Sequence, residues 1–160
     1  FSSGAPTPPT MPQQDSQSGS NIVATVVPDG WAKQPATSFR LLNYRFGSGG
    51  EVYVSLSRGG VLMNVNRWLG QFSAEAIDES RLAGFESVEV AGHDGVWVSV
   101  DGDFAGGMGA EPRSNWGLRG VVAEGPSGIL TVKLIGPVDE VRQQEAALRS
   151  FVAGLSVEDE

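Results

Sequence analysis

Along residues 51–57 the apolar positions Val52, Val54 and Leu56 alternate with Tyr53, Ser55 and Ser57. A period of two predicts a strand with one buried face. The stretch "TSFRLLNYRF" lies before it across "GSGG" and has similar strand-like content. Residues 85–102, "FESVEVAGHDGVWVSVDG", predict two strands around a "GHDG" turn, and 118–136, "LRGVVAEGPSGILTVKLIG", predict a second hairpin turning at "EGPSG". Near the start, "NIVATVVP" is a short apolar run ended by the turn signal "PDGW".

Two segments follow a helical period instead. In "GPVDEVRQQEAALRSFVAGL", Pro137 stands where a helix can open, Asp139 and Glu140 fall in its first turn, and Gly154 lies near its end. Val138, Val141, Leu148, Phe151, Val152 and Leu155 then share one face, which predicts a helix packed on a sheet. The second helical segment is "GGVLMNVNRWLGQF", residues 59–72, and "SAEAIDESRL" after it predicts a further short helix. By contrast, "GDFAGGMGAEPRSNWG" at 102–117 has neither period, and its glycines predict a loop. Together these elements predict an α+β domain: a mainly antiparallel sheet of about six to seven strands flanked by helices. The expected organisation is a flexible linker or tether over 1–20, "FSSGAPTPPTMPQQDSQSGS", followed by one domain over 21–160.

On a helical wheel, Val61, Leu62, Val65, Trp68, Leu69 and Phe72 of residues 59–72 fall within an arc of about 120°, the core face. Asn64, Arg67 and Gln71 make a polar strip beside Trp68 at i, i+3, i+7, while Asn66 points to the other flank. The strip offers amide groups and a guanidinium fork next to an aromatic edge, which suits recognition of a carboxylate, an amide or a partner backbone. A plainer reading has Asn64 as a helix cap, Arg67 paired with an acid such as Glu75, and Trp68 in the core. Both readings stand on sequence alone. The tryptophans divide in the same way between groove lining and core filling, with core the better fit for Trp68 and Trp97.

Charge narrows the function classes. The formal net charge is −8, from 19 acidic and 11 basic residues. So few cations on an acidic chain do not suit nucleic acid or an anionic membrane surface. No cysteine is present, which removes disulfides, thiolate nucleophiles and cysteine-based zinc sites. No apolar run approaches the ~18 residues of a bilayer span. The chain opens on Phe1 rather than Met, which leaves room for an upstream segment such as a signal peptide.

Candidate catalytic groups are sparse. The single histidine, His93, stands beside Asp94 in "AGHDG" and near Asp101 and Asp103 in "DGDF". As a hairpin tip, that stretch exposes His93 to water, with none of the walls or oxyanion donors an acyl-transfer triad needs. The aspartates lack the D-x-[DN]-x-[DN]-G spacing of a calcium loop. No catalytic residue, metal site or cofactor is therefore expected.

The order of "VPDGW", strands, "NVNRWLGQ" and the closing "LIGPVDEVRQQEAALRSFVAGL" helix resembles the Mog/PsbP-like superfamily. It is most similar there to bacterial lipoproteins of planctomycete and verrucomicrobial type that carry an N-R-W-x-x-Q helix, here residues 66–71. The likeness covers about 22–157. It implies an antiparallel sheet sandwiched by helices, without catalytic machinery or a universal cofactor, in a group of protein-binding and assembly factors. The Ran-binding and photosystem roles of some members do not carry over, since no residue here matches those sites. The lipoproteins are exported and tethered by an N-terminal lipidated cysteine. With no cysteine in the chain, such an anchor would precede Phe1, and 1–20 would be the tether.

The expected function is a non-enzymatic, extracytoplasmic bacterial binding or assembly module, the soluble part of a lipoprotein, with a protein or cell-envelope partner. Its surface would comprise Asn64, Arg67, Gln71 and Trp31, with Trp68 as support. Two alternatives remain open: a cell-envelope hydrolase using the Asp and His residues of 93–103, and a structural domain without a ligand.

Overall fold

The computed structural model describes residues 21–37, 40–105, 112–125 and 128–158. The expected tether over 1–20, residues 126–127 at the centre of the "EGPSG" turn and 106–111 of the glycine-rich stretch lie outside the described residues.

Strands β1 (Asn21–Ala24), β2 (Ala32–Lys33), β3 (Leu42–Phe46) and β4 (Gly50–Ser57) precede helix α1 (Val61–Gly70) and the short helix α2 (Glu79–Leu82). Then follow β5 (Ser87–Val90), β6 (His93–Phe104), β7 (Arg113–Gly125), β8 (Gly128–Pro137), helix α3 (Val138–Ala153) and β9 (Leu155–Glu158). Seven strands form one antiparallel sheet in the order β2-β3-β4-β8-β7-β6-β5, while β1 and β9 pair in a separate two-stranded ribbon. The fold is therefore the expected α+β sandwich. Its nine strands among the described residues exceed the expected count because the ribbon adds two.

Two cores lie on opposite faces of the sheet. On one, Val141, Leu148, Phe151 and Val152 of α3 meet Val52, Val54, Val121, Leu130, Val132 and Leu134. On the other, Val65, Trp68 and Leu69 of α1 meet Val98, Leu118, Val122, Ile129 and Ile135. The alternation in β4 has this cause: Val52 and Val54 turn toward α3, and Tyr53, Ser55 and Ser57 toward α1. The helix α3 runs from Pro137 at its N-cap to Gly154, with Asp139 and Glu140 in its first turn, as its pattern predicts. Leu155 reaches the same core from β9 rather than from the helix.

Several local expectations are corrected. The turn between β5 and β6 is Ala91–Gly92, both at positive φ (51° and 84°), the geometry of a two-residue hairpin. His93 therefore opens β6 opposite Val90 and is half-buried, instead of standing at the tip. Only Glu79–Leu82 of 73–82 is helical; Asp78 caps it by accepting from the Arg81 N–H at 2.9 Å. Before it, the Asn66 side chain donates to Ile77 O (3.0 Å) and accepts from Ile77 N–H (2.8 Å), which ties the segment to α1. Helix α1 stops at Gly70, so Phe72 is buried from a turn. Both ends of 102–117 are strand, because Gly102 pairs with Trp116 and Phe104 with Arg113.

Gly120 sets how closely α1 approaches the sheet. A Cβ at Gly120 on β7 would overlap the Val132 carbonyl oxygen and meet the Trp68 ring at 3.0 Å. Without it, the Trp68 indole of α1 packs close against β7. Gly120→Ala should displace Trp68 and cost about 2 kcal/mol, the usual scale of overpacking. Urea denaturation would show it, and an unchanged midpoint would mean that Trp68 does not depend on this contact.

Candidate functional site

The α1 face of the sheet is not uniformly apolar. Strand β8 carries Thr131 and Lys133 there between Ile129 and Ile135, and in register beside them β4 carries Ser55 and Tyr53. The Ser55 and Thr131 hydroxyls share a hydrogen bond of 2.7 Å. Helix α1 covers only part of this polar strip. What it leaves is a recess of about 280 Å³ lined by Arg40, Tyr53, Ser55, Ser57, Arg67, Trp68, Gln71, Thr131 and Lys133.

Lys133 is its innermost cation, 4% exposed. Its ammonium donates to Gln71 Oε1 at 2.8 Å and lies 5.6 Å from the Trp68 ring centre, 5.9 Å from Phe104 and 6.0 Å from Tyr53. Ring faces attract a cation, but they do not replace a carboxylate. Burial first, then the charges of Arg67 and Arg40, lower its pKa to about 8, with Glu51 opposing. Arg40 pairs with Glu51 at 3.0 Å and stacks over Tyr53 at 3.8 Å. Burial in turn raises the Tyr53 hydroxyl, against the nearby Arg40 charge. Arg67 is exposed and donates to Ser57 Oγ at 3.1 Å and to Asn64 Oδ1. On a chain of net charge −8, three cations thus converge on a recess whose lining includes no acid.

The five residues expected to form a recognition surface separate. Arg67 and Gln71 do border the recess, and Trp68 is buried behind them as support. Asn64 is a correction: it is fully buried, and its amide donates to Arg58 O (3.0 Å) and Gly60 O (2.8 Å) while its oxygen takes Arg67. It braces the start of α1, although Gly60 rather than Asn64 is the N-cap. Trp31 is a second correction. It sits in the α3-side core against Tyr44 and Phe151, and its indole donates to Gln144 Oε1 at 2.8 Å. The sheet stands between it and α1, so the two cannot share a surface. Arg67 also makes no ion pair with Glu75; Ser57 and Asn64 take its hydrogen bonds.

The residues of the hydrolase alternative are not gathered. His93 and Asp101 lie eight positions apart in one extended strand, ~26 Å at the usual rise. Asp94, seven positions from Asp101, points to the opposite face. Asp101 is held by Arg119 at 2.7 Å and Arg142 at 3.2 Å. Burial alone would raise its pKa, but those two guanidinium groups outweigh it and keep it below the usual carboxylate range. Asp103 accepts from the Asn115 N–H at 3.4 Å. Among the described residues no group of three His, Asp or Glu side chains could hold a metal ion.

Lys133, Tyr53, Arg40, Ser55 and Thr131 were not anticipated from sequence. A signal for them exists in the alternation: Thr131 and Lys133 are the polar positions of one parity in an otherwise apolar strand, as Tyr53, Ser55 and Ser57 are in β4. What period alone lacks is the pairing of β4 with β8, which brings the two polar rows together.

No protein-family model and no curated protein matches the chain. Among solved structures, it is similar to LpqN, a protein involved in cell envelope biogenesis of Mycobacterium tuberculosis. The two share 13% identity over 85% of this chain and 82% of that one, with a TM-score of 0.51. Cyanobacterial PsbP (CyanoP) from Synechocystis sp. PCC 6803 aligns over 91% of this chain and 98% of its own at 11% identity, with a TM-score of 0.47, below the level at which a shared fold follows. The LpqN likeness supports the architecture implied by the PsbP-like resemblance, and does so at the level of fold.

Lys133 gives the domain a pH signature. The folded protein releases its proton near pH 8, whereas the unfolded chain keeps it to about 10.5. Between those values the unfolded state binds more protons, so stability rises with pH. The gain from pH 7.5 to 9.5 should be about 2 kcal/mol. Tyr44 and Tyr53, both raised by burial, act in the opposite direction above about pH 10. Urea denaturation across this range checks it: Lys133→Met should flatten the rise, and a wild-type curve already flat would show that the ammonium is not desolvated.

Proposed function

We propose that the chain is a non-enzymatic binding or assembly module that works outside the cytoplasm, in the cell envelope. The recess beneath α1 is its recognition surface, with Arg67 and Gln71 at the rim, Lys133 and Arg40 inside and Trp68 as the wall. The observation that carries this reading is the convergence of Arg40, Arg67 and Lys133 on a recess with no acidic lining, in a strongly acidic chain. Glu51 offsets Arg40, and the remaining Lys133 and Arg67 charges repel each other, a repulsion that an anion in the recess would relieve. The envelope assignment draws on the fold shared with LpqN and on the resemblance of the N-R-W-x-x-Q helix to bacterial lipoproteins. In this reading 21–160 is the folded module and 1–20 its tether. No helix among the described residues is long and apolar enough to cross a membrane.

The polar strip of α1 has two duties. Asn64 and Asn66 spend their amides inside the protein, which favours bracing for that part. Arg67 and Gln71 retain donors toward the recess.

Arg67 is exposed and, among the described residues, donates to Ser57 and to the buried Asn64 Oδ1, so Arg67→Glu should leave the protein folded but cost about 1–3 kcal/mol and lower the melting temperature by about 3–8 °C. It should weaken capture of envelope components by tagged protein at least about tenfold, the scale of a lost charge-assisted contact. Undiminished capture by this variant would remove the recess as the recognition surface. Unfolding by it would assign Arg67 to structure.

A further inference from the structure

We propose that the recess takes the phosphate group of a phosphate ester, seated among Lys133, Arg67 and Arg40. This rests on the recess being the recognition surface and adds the chemistry of what enters it.

The donor inventory points to a many-oxygen anion. The Lys133 ammonium has three N–H groups, and Gln71 Oε1 takes one of them. The Gln71 amide nitrogen is then a further donor, and the Ser57 hydroxyl lines the same space; the Ser55 and Thr131 hydroxyls line it too, but they bond each other and Thr131 also donates to Ser55 O at 3.3 Å, so they are spent largely within the protein. Arg67 places one nitrogen, Nη2, on both Ser57 and Asn64, leaving the rest of its guanidinium fork for an acceptor. These donors come from β4, β8 and the α1 segment, and so many on one recess suit a group with several acceptor oxygens. Charge selects in the same direction. Glu51 offsets Arg40, which leaves Lys133 and Arg67 uncompensated. Two positive charges match a phosphate monoester near its dianionic form, whereas a carboxylate would neutralise one. The volume of about 280 Å³ lies at the small end of ligand sites and suits a phosphate with a short ester arm.

The groups facing the Lys133 ammonium are Gln71, Arg67 and the Trp68 ring from the α1 segment, Glu51 and Tyr53 from β4, Arg40 from the segment before β3, and the Phe104 ring from β6. Of these, Lys133 is the group that titrates just above neutrality, so affinity should fall as it loses its proton.

The test is calorimetric titration of the full chain at pH 7 and low salt with inorganic phosphate, glycerol phosphate and acetate. Phosphate and glycerol phosphate should bind with a Kd of about 1 mM or tighter, at least about tenfold better than acetate. Raising the pH from 7.5 to 9.5 should weaken them about tenfold. Lys133→Met should abolish this binding, and Arg67→Ala should reduce it about tenfold, which keeps the proposal testable if the first variant folds poorly. Co-sedimentation with vesicles containing phosphatidic acid, whose headgroup is a phosphate monoester, that is lost in Lys133→Met would identify the ester as a lipid headgroup. Binding confined to glycerol phosphate would identify a soluble ester. Acetate equal to phosphate, or phosphate binding unchanged in both variants, overturns the proposal. If envelope capture still depends on Arg67 in that case, the recognition surface stands and only its phosphate chemistry fails.

Discussion

An ammonium group buried in the middle of the sheet without a carboxylate partner sets the character of one whole face of this protein. Strand β8 is the central strand, and Lys133 stands on it where an apolar side chain would satisfy both neighbours. The surroundings offer one amide oxygen and three ring faces, which soften the desolvation without cancelling it. The other face of the same sheet shows the alternative. There Arg119 is equally buried, but Asp101 and Glu145 grip it at 2.7 and 3.1 Å. Burial lowers its pKa and the two carboxylates more than restore it, so it ends raised, whereas Lys133 ends lowered. A cation answered from within the chain is structural; one left unanswered beside an open recess is available to something else.

The rest of the site is arranged around that difference. Gly120 lets the Trp68 indole lie against β7, which brings α1 close enough for Gln71 to reach the ammonium and for Arg67 to overhang the recess. Asn64 ties α1 to the Arg58 and Gly60 carbonyls, and Asn66 ties the chain after the helix through Ile77. The helix is thus fixed at both sides by the buried Asn64 amide and the half-buried Asn66 amide, while Arg67 and, just past its end, Gln71 face the opening. Rigid support behind a small number of convergent donors is what orients a ligand. The fold shared with LpqN supplies the scaffold, and the donors belong to this chain.

Much of the architecture was legible in local pattern. The period of two across 51–57, the amphipathic closing helix with Pro137 and Gly154, and the core arc of α1 all describe which atoms leave water, and burial is repeated along each element often enough to be read. Turn positions were less legible. "GHDG" has the composition of a tip, yet Ala91–Gly92 makes the turn, because the pairing of Val90 with His93 decides the register and a positive φ at Ala91 is accepted to keep it. Part of the recess lining was legible too: Arg67 and Gln71 emerged from helical spacing beside Trp68. Trp31 was misplaced and Lys133 overlooked for one shared reason. A single strand or helix states which residues share its own face, and it does not state which face of a neighbouring element lies opposite.

The sequence by itself determined the class of fold, the apolar face of β4 and the span of its last helix. The tertiary structure alone decided that β4 and β8 are neighbours, that Trp31 and Trp68 lie on opposite sides of the sheet, and that Asn64 faces inward. It also decided that Lys133, 62 positions from Gln71, shares a hydrogen bond and a recess with it. Periodicity is local and reports one solvent boundary per element. A binding site is made where several elements meet, and that meeting is set by strand order and packing across the whole sheet.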